Sequence, residues 1–287
     1  MGKIVVFANQ KGGVGKTTSC INVAAYVAVM GKKTIAIDID PQGNLTSGLG
    51  IRKNKLSKSM YSMIIDDVNA VEVILHTGVP NLDIIPSNVD LAGAEVLLVP
   101  YGAEREYVLK KAIQRLKNTY DYIFIDCPPS LGLLTINALT AADSVLIPIQ
   151  GEFFALEGLS QLMNTIKLVK RHTNKMLDIE GVIMTMYDPR SNIVVSVAEE
   201  VSKLFGKKVF GVRIPRNIRL VEAPSYGLPI LQYEPRSTGA LAYKALSEEF
   251  LIRNNEVFNK ITSDRALKKR IAPATTKNGE AKQISGN

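Results

Sequence analysis

The octamer Lys11-Gly12-Gly13-Val14-Gly15-Lys16-Thr17-Thr18 follows the apolar run Ile4-Val5-Val6-Phe7 almost at once. A buried strand therefore opens into a glycine-rich turn, and the turn closes on Lys-Thr-Thr at the head of a helix-patterned stretch. Glycines at 12, 13 and 15 free the backbone to adopt unusual dihedrals and to aim several N–H groups at phosphate oxygens. The helix that follows adds its unpaired first-turn N–H groups and the positive end of its dipole. Lys16 has the reach for β- and γ-phosphates, and the Thr17 hydroxyl is a Mg²⁺ ligand type. These residues point to a nucleoside triphosphate.

Short apolar runs alternate with longer amphipathic segments over the rest of the chain, which predicts an α/β fold. The expected architecture is of the P-loop NTPase type, a mostly parallel twisted sheet with helices on both faces. Strands are expected at 4–7, 34–37, 82–85, 122–125, 144–147, 181–184 and 209–212. Helices are expected at 16–30, 104–117, 133–142, 156–172, 192–205 and 238–255. Several strands lack polar alternation, as expected where both faces are covered. Ligands of such sheets gather at the carboxyl ends of the strands.

Two further segments fall at those ends. The second strand finishes in Asp38-Ile39-Asp40-Pro41-Gln42-Gly43-Asn44, where a period of two puts Asp38 and Asp40 on one side beside the glycine loop. One carboxylate suits a Mg²⁺-bound water, and the other suits orientation of the water that attacks a γ-phosphate. Taken alone, Asp40-Pro41 also reads as a turn starter. The run Tyr122-Ile123-Phe124-Ile125-Asp126 describes a Walker B strand, whose terminal carboxylate contacts Mg²⁺. Cys127 reads as a packed small residue, and His76 and His172 have no partners in sequence that would make a metal site.

KGGVGKTT departs from the G-x-x-x-x-G-K-[ST] pattern, with Gln10 at the first glycine position and Lys11 as an extra lysine. This departure resembles the deviant Walker A loop of the ParA/MinD group. Together with DIDPQGN, FIDCPPSLG, ALEGLSQL (155–162) and IPRNIRLVEAPSYG (214–227), it resembles the ParA/Soj family of partition ATPases from Met1 to about Phe250. The resemblance implies ATP and Mg²⁺ as cofactors and slow, switch-type hydrolysis. It makes Lys11 a signature lysine that reaches a partner subunit's nucleotide, Lys16 the phosphate-loop lysine, and Thr17 the metal ligand. Asp126 becomes the Walker B acid, with Asp38 a further metal candidate. Asp40 becomes the residue that positions hydrolytic water. Gly12, Gly13, Val14, Gly15 and Thr18 complete the loop, while Pro215 and Asn217 match the segment lining the adenine site. Arg190 matches an arginine that similar proteins use for DNA, and Arg216 and Arg219 extend that surface. The implied partners are a second copy of the chain, non-specific double-stranded DNA and a ParB-like centromere-binding protein.

Charge adds to this reading. The net charge is +8, of which residues 258–287 carry +5, so residues 1–257 are only mildly basic. A single ATPase domain over 1–257 and a basic, disordered tail over 258–287 are expected. Leu267-Lys268-Lys269-Arg270-Ile271 has too few apolar residues for a membrane helix, and Pro273 then intervenes. No apolar run approaches the ~18 residues of a membrane span. The N-terminus starts the first strand without room for a signal peptide, and two cysteines make no disulfide framework. A cytoplasmic, nucleoid-associated protein with no membrane partner is expected.

Overall fold

Strand β1 (Lys3–Phe7) is held between β5 (Tyr122–Asp126), the central strand of a seven-stranded sheet, and β6 (Ser144–Gln150). The computed structural model describes residues 1–262 and 264–271. On the far side of β5 lie β2 (Thr34–Asp38), β4 (Leu82–Ile85) and β3 (Leu75–His76); β7 (Asp178–Thr185) closes the other flank. All pairs are parallel except β3 with β4. The short antiparallel edge was not expected from the sequence. Otherwise the mostly parallel sheet with helices on both faces agrees with the reading above.

Alternate residues of the central strands feed two separate cores. Ile4, Val6, Ile35, Ile37, Ile123 and Ile125 pack into one, with helices Leu133–Ala141, Ala155–His172 and Asn192–Phe205 against them. Val5, Phe7, Ala36, Tyr122, Phe124 and Leu146 pack into the other, under helices Lys16–Val29 and Thr238–Arg253. Both faces are apolar because both are covered. The first helix is buried nearly all round, which is why its sequence is mostly small and apolar without a polar stripe. Its chain stops at Gly31, whose φ of 101° lies in the left-handed region that suits glycine.

The expected strand at 209–212 does not form. Phe210 and Ile214 donate to the carbonyls of Val182 and Met184 on β7, yet four residues separate the donors and two the acceptors. The intervening Gly211 and Val212 N–H groups turn instead to the Glu249 carboxylate, at 2.9 and 3.0 Å. Side-chain acceptors thus replace a ladder. The helix expected at 104–117 is regular only over Val108–Ile113, with 3-10 turns before and after it.

The tail also differs from expectation. Helix Asp264–Ile271 covers the end of the first helix, with Ile261 and Leu267 buried in the same core as Tyr26 and Phe250. Arg270 donates to the carbonyls of Val29, Asn259 and Lys260, and so serves the carboxyl end of the first helix. A few apolar residues aimed at one groove are enough to order this basic stretch. The remainder of the expected tail, 272–287, lies outside the described residues.

Phe250 joins this arrangement by ring contacts, with centroids 5.2 Å from Tyr122 and 5.7 Å from Phe124. Truncating it leaves a cavity between helix and sheet that rigid strands cannot close. Phe250→Ala should therefore lower stability by about 3–5 kcal/mol, read as a reduced urea midpoint at unchanged slope.

Candidate nucleotide-binding site

The glycine loop spans the gap between β1 and the first helix, and three polar side chains fix its shape. Asn9, buried just past β1, donates to the Pro148 carbonyl at 2.7 Å and accepts from the Lys11 N–H at 3.1 Å. Thr185, at the end of β7, donates to the Val14 carbonyl at 2.8 Å. Gly13 and Gly15 take φ of 75° and 83°, a backbone that a side chain would strain. The helix begins immediately, with Ser19 N–H donating to the Gly15 carbonyl. Lys16 bends back over the loop and donates to the Lys11 carbonyl at 2.9 Å. Asn9 and Thr185 were not found by sequence reasoning. A polar residue at or just beyond the end of an apolar strand was the available signal for each.

Parallel pairing sets the carboxylates beside this loop. Asp38 and Asp126 are register partners at the ends of β2 and β5, and Phe7 at the end of β1 is in register with Asp126. Both aspartates are fully buried, but their situations differ. Asp38 accepts from Thr46 N–H at 2.8 Å, from the Thr46 hydroxyl at 2.6 Å and from Asp40 N–H at 3.1 Å. Burial still raises its pKa to about 6. It anchors the segment after β2 and spends its lone pairs there, so it is a structural residue more than an open metal ligand. Asp126 has neither oxygen hydrogen-bonded. Burial and then the Asp38 charge drive its pKa well above the carboxylate range. The neighbouring Thr17 hydroxyl and Lys16 ammonium oppose that shift, although Thr17 falls short of a well-formed hydrogen bond. Lys16 is itself buried, which lowers its pKa, against the attraction of Asp126.

An unpaired buried carboxylate beside a hydroxyl and an ammonium is a site that wants a further group. Thr17 and Asp126 have the oxygen chemistry that a hard divalent cation takes. The residues present therefore fit a Mg²⁺–phosphate group. Asp40 lines the same cleft, with one oxygen accepting from Gln42 N–H at 2.9 Å. The turn it starts is what sets it at the loop.

The cleft measures about 630 Å³ and runs from Gly12, Gly13, Lys16 and Thr18 to Pro215 and Asn217. Pro215 is bridged to Tyr187 beyond β7. Asn217 lines this cleft and is already partly engaged. It caps helix Ile218–Glu222 by accepting from Arg219 N–H and donates to the Thr238 hydroxyl at 2.7 Å. One amide hydrogen and one lone pair remain for a base edge. Lys11 is ion-paired with Glu152 of its own chain, both partners half-exposed.

The arginines are not equivalent. Arg190 lies outside the cleft in a bidentate pair with Asp188, at 2.9 and 2.8 Å, and Asp188 is lowered to about 2 by those hydrogen bonds. Arg219 is paired with Glu222 at 2.8 Å. Arg216 lines the cleft mouth, and no carboxylate of the described residues pairs with it.

The parallel sheet, the left-handed glycine loop and the carboxylates at the strand ends define a phosphate-loop α/β protein. A family model described as an AAA domain matches residues 2–179. The chain belongs to the ParA/Soj family of chromosome-partitioning ATPases. It is 56% identical over 249 residues to the sporulation initiation inhibitor protein Soj of Bacillus subtilis, covering 87% of this chain and 98% of that one. It is 49% identical over 256 residues to the chromosome-partitioning ATPase Soj of Treponema pallidum, covering 89% and 100%. Among solved structures, it resembles cobyrinic acid a,c-diamide synthase from Mycobacterium smegmatis with bound ATP analogue and magnesium. That likeness has a TM-score of 0.78 at 34% identity, covering 92% of this chain and all of the other.

The unpaired carboxylate has a measurable cost. The unfolded chain releases the Asp126 proton near pH ~4, whereas the folded chain holds it to higher pH. Ligand-free stability should therefore fall as pH rises above that point, and Asp38 adds a fall between 3.8 and about 6. Asp126→Asn should flatten the first of these dependences. Melting temperatures of both proteins without nucleotide, compared from acid to neutral pH, check this: the gap should widen in the variant's favour as pH rises.

Proposed function

We propose that this chain is an ATP-driven partition switch, binding ATP with Mg²⁺, pairing with a second copy, gripping DNA without reading its sequence, and resetting by hydrolysis. The observation that carries the reading is the buried, unpaired Asp126 carboxylate beside Lys16 and Thr17 in a preformed phosphate loop. The N–H groups of 12–18 and the Lys16 ammonium bind and orient the phosphates, and Thr17 and Asp126 hold the metal. Bound Mg²⁺ supplies the charge that keeps Asp126 ionised and offsets the phosphates. Asp40 orients the attacking water, which acts in the transition state more than in the ground state. Pro215 and Asn217 flank the base.

Lys11 reaches the partner subunit's nucleotide only after leaving Glu152. That exposed pair is worth about 0–1 kcal/mol, so nucleotide phosphates outbid it easily. Pairing two chains doubles a weakly basic surface, and the second DNA contact becomes effectively intramolecular. A ParB-like partner would then act by speeding hydrolysis. The rival reading, a MinD-like membrane regulator, needs an apolar helix face free for lipid. Leu267, the central apolar residue of the last described helix, is instead buried against the protein's own core.

Lys16→Ala should abolish ATP binding in calorimetric titration, since the charge facing the phosphates is gone. Asp40→Ala should bind ATP normally, stop turnover, and accumulate as an ATP-bound dimer on a sizing column. Wild-type turnover in that variant would remove the assigned role.

Arg190→Glu should weaken ATP-dependent DNA binding, read by anisotropy of a labelled duplex. Wild-type binding should be insensitive to sequence and should fall steeply with salt. The competing source of charge is the last helix, where Lys268 and Lys269 are exposed. Replacing both with alanine should weaken DNA binding less than Arg190→Glu. The reverse order would make the carboxyl-terminal helix the DNA anchor.

A further inference from the structure

The exposed cation best prepared for a phosphate is one that the sequence motifs do not pick out. Arg213 lies with its guanidinium carbon 4.4 Å from the centre of the Tyr187 ring. Tyr187 is half-buried and packs against the core, so it forms a firm platform. The backbone on either side is equally fixed. Ile214 is buried, its N–H donates to the Met184 carbonyl, and its carbonyl accepts from Tyr187 N–H, both at 2.9 Å.

Charge around Arg213 is also unusual. Asp188, one residue beyond the platform, is taken up by Arg190. Glu249, which binds the N–H groups of Gly211 and Val212, is taken up by those groups and by Arg253. No carboxylate of the described residues pairs with Arg213. A guanidinium held over a ring face is fixed in place by the ring's quadrupole and keeps N–H groups to donate to a phosphate oxygen. Arg190 sits on the same turn as the platform, so the two cations belong to one surface.

We propose that Arg213, held over the Tyr187 ring, is a DNA-phosphate contact of this surface, with Tyr187 as its positioning residue. This rests on the proposed DNA-binding function and extends it to a residue that needs no ion pair broken before it can bind. Arg190 and Arg219 must each first give up a carboxylate of their own chain.

The test uses the full chain with a non-hydrolysable ATP analogue and a mixed-sequence duplex, titrated at several salt concentrations. Non-specific affinities spread over the usual number of phosphate contacts come to roughly half a decade each, so losing one per subunit should weaken binding about tenfold. Arg213→Ala should do this and make the salt slope shallower by about 2 for the dimer. Arg213→Lys should keep the slope and lose part of the affinity. Tyr187→Leu should likewise lower affinity while keeping the slope, which a merely structural lesion would not single out. Melting curves verify that each variant is folded. If Arg213→Ala binds DNA with wild-type affinity and slope, this inference is wrong and the wider function stands. If the wild-type chain shows no ATP-dependent DNA binding, both fall together.

Discussion

A carboxylate that its own protein leaves unsatisfied organises the carboxyl edge of this sheet. Asp126 is buried at the end of β5, with no hydrogen bond to either oxygen, next to an equally buried Asp38. Two such groups in register repel, and the fold resolves the conflict asymmetrically. Three hydrogen bonds satisfy Asp38, which then pins Thr46 and the segment after β2, while Asp126 is left for an incoming group. Buried unpaired polar atoms cost free energy, so a fold retains one only where something else completes it. The parallel register makes this possible, because it brings the ends of β1, β2 and β5 level at one edge.

The same economy of contacts runs through the loop. Its left-handed glycines would be floppy alone, since glycine loses more backbone entropy than any other residue on ordering. Asn9 and Thr185 hold it from opposite sides, one from the strand before the loop and one from β7. The chain from Thr185 to Arg190 therefore touches the phosphate loop at one end and carries a surface arginine at the other. Between them, Met186 adopts φ of 47°, an uncommon conformation for a side chain of its kind, and lines the cleft. Nucleotide site and basic surface are built on one short, tightly specified segment.

What was legible in the sequence follows a physical division. The six parallel strands were visible because doubly covered strands must be apolar, and helices Asn192–Phe205 and Ala155–His172 because one face repeats with helical spacing. That Lys16, Thr17, Asp40 and Asp126 come together at one edge was visible because they sit at or beside the ends of parallel strands. Interactions between residues far apart in sequence were not visible. Nothing local says that Glu249 will claim the N–H groups of Gly211 and Val212, so 209–212 reads as a strand. Nothing local says that Leu267 has a groove waiting on the first helix, so its basic neighbours read as a disordered tail. Nor does the sequence show that Thr238 and the Arg219 N–H each engage half of the Asn217 amide.

Pairing also changes how the basic surface should be understood. Counting arginines suggests that Arg190, Arg216 and Arg219 are alike, but two of the three arrive neutralised by an exposed carboxylate close by in sequence. Such pairs are weak in water and give way to a polyanion, whose counterion release drives the exchange. Their carboxylates then stay on the surface and repel the same phosphates. Net attraction per subunit is thus smaller than the arginine count, which accords with a body that carries only +3 over residues 1–257. Under the proposed function, a surface so balanced would hold DNA poorly as a single copy and usefully as a pair, because two weak contacts multiply when they are joined. In that proposal weak single-copy binding would let the nucleotide decide, since a more basic body would stay on DNA whether or not ATP had brought two chains together.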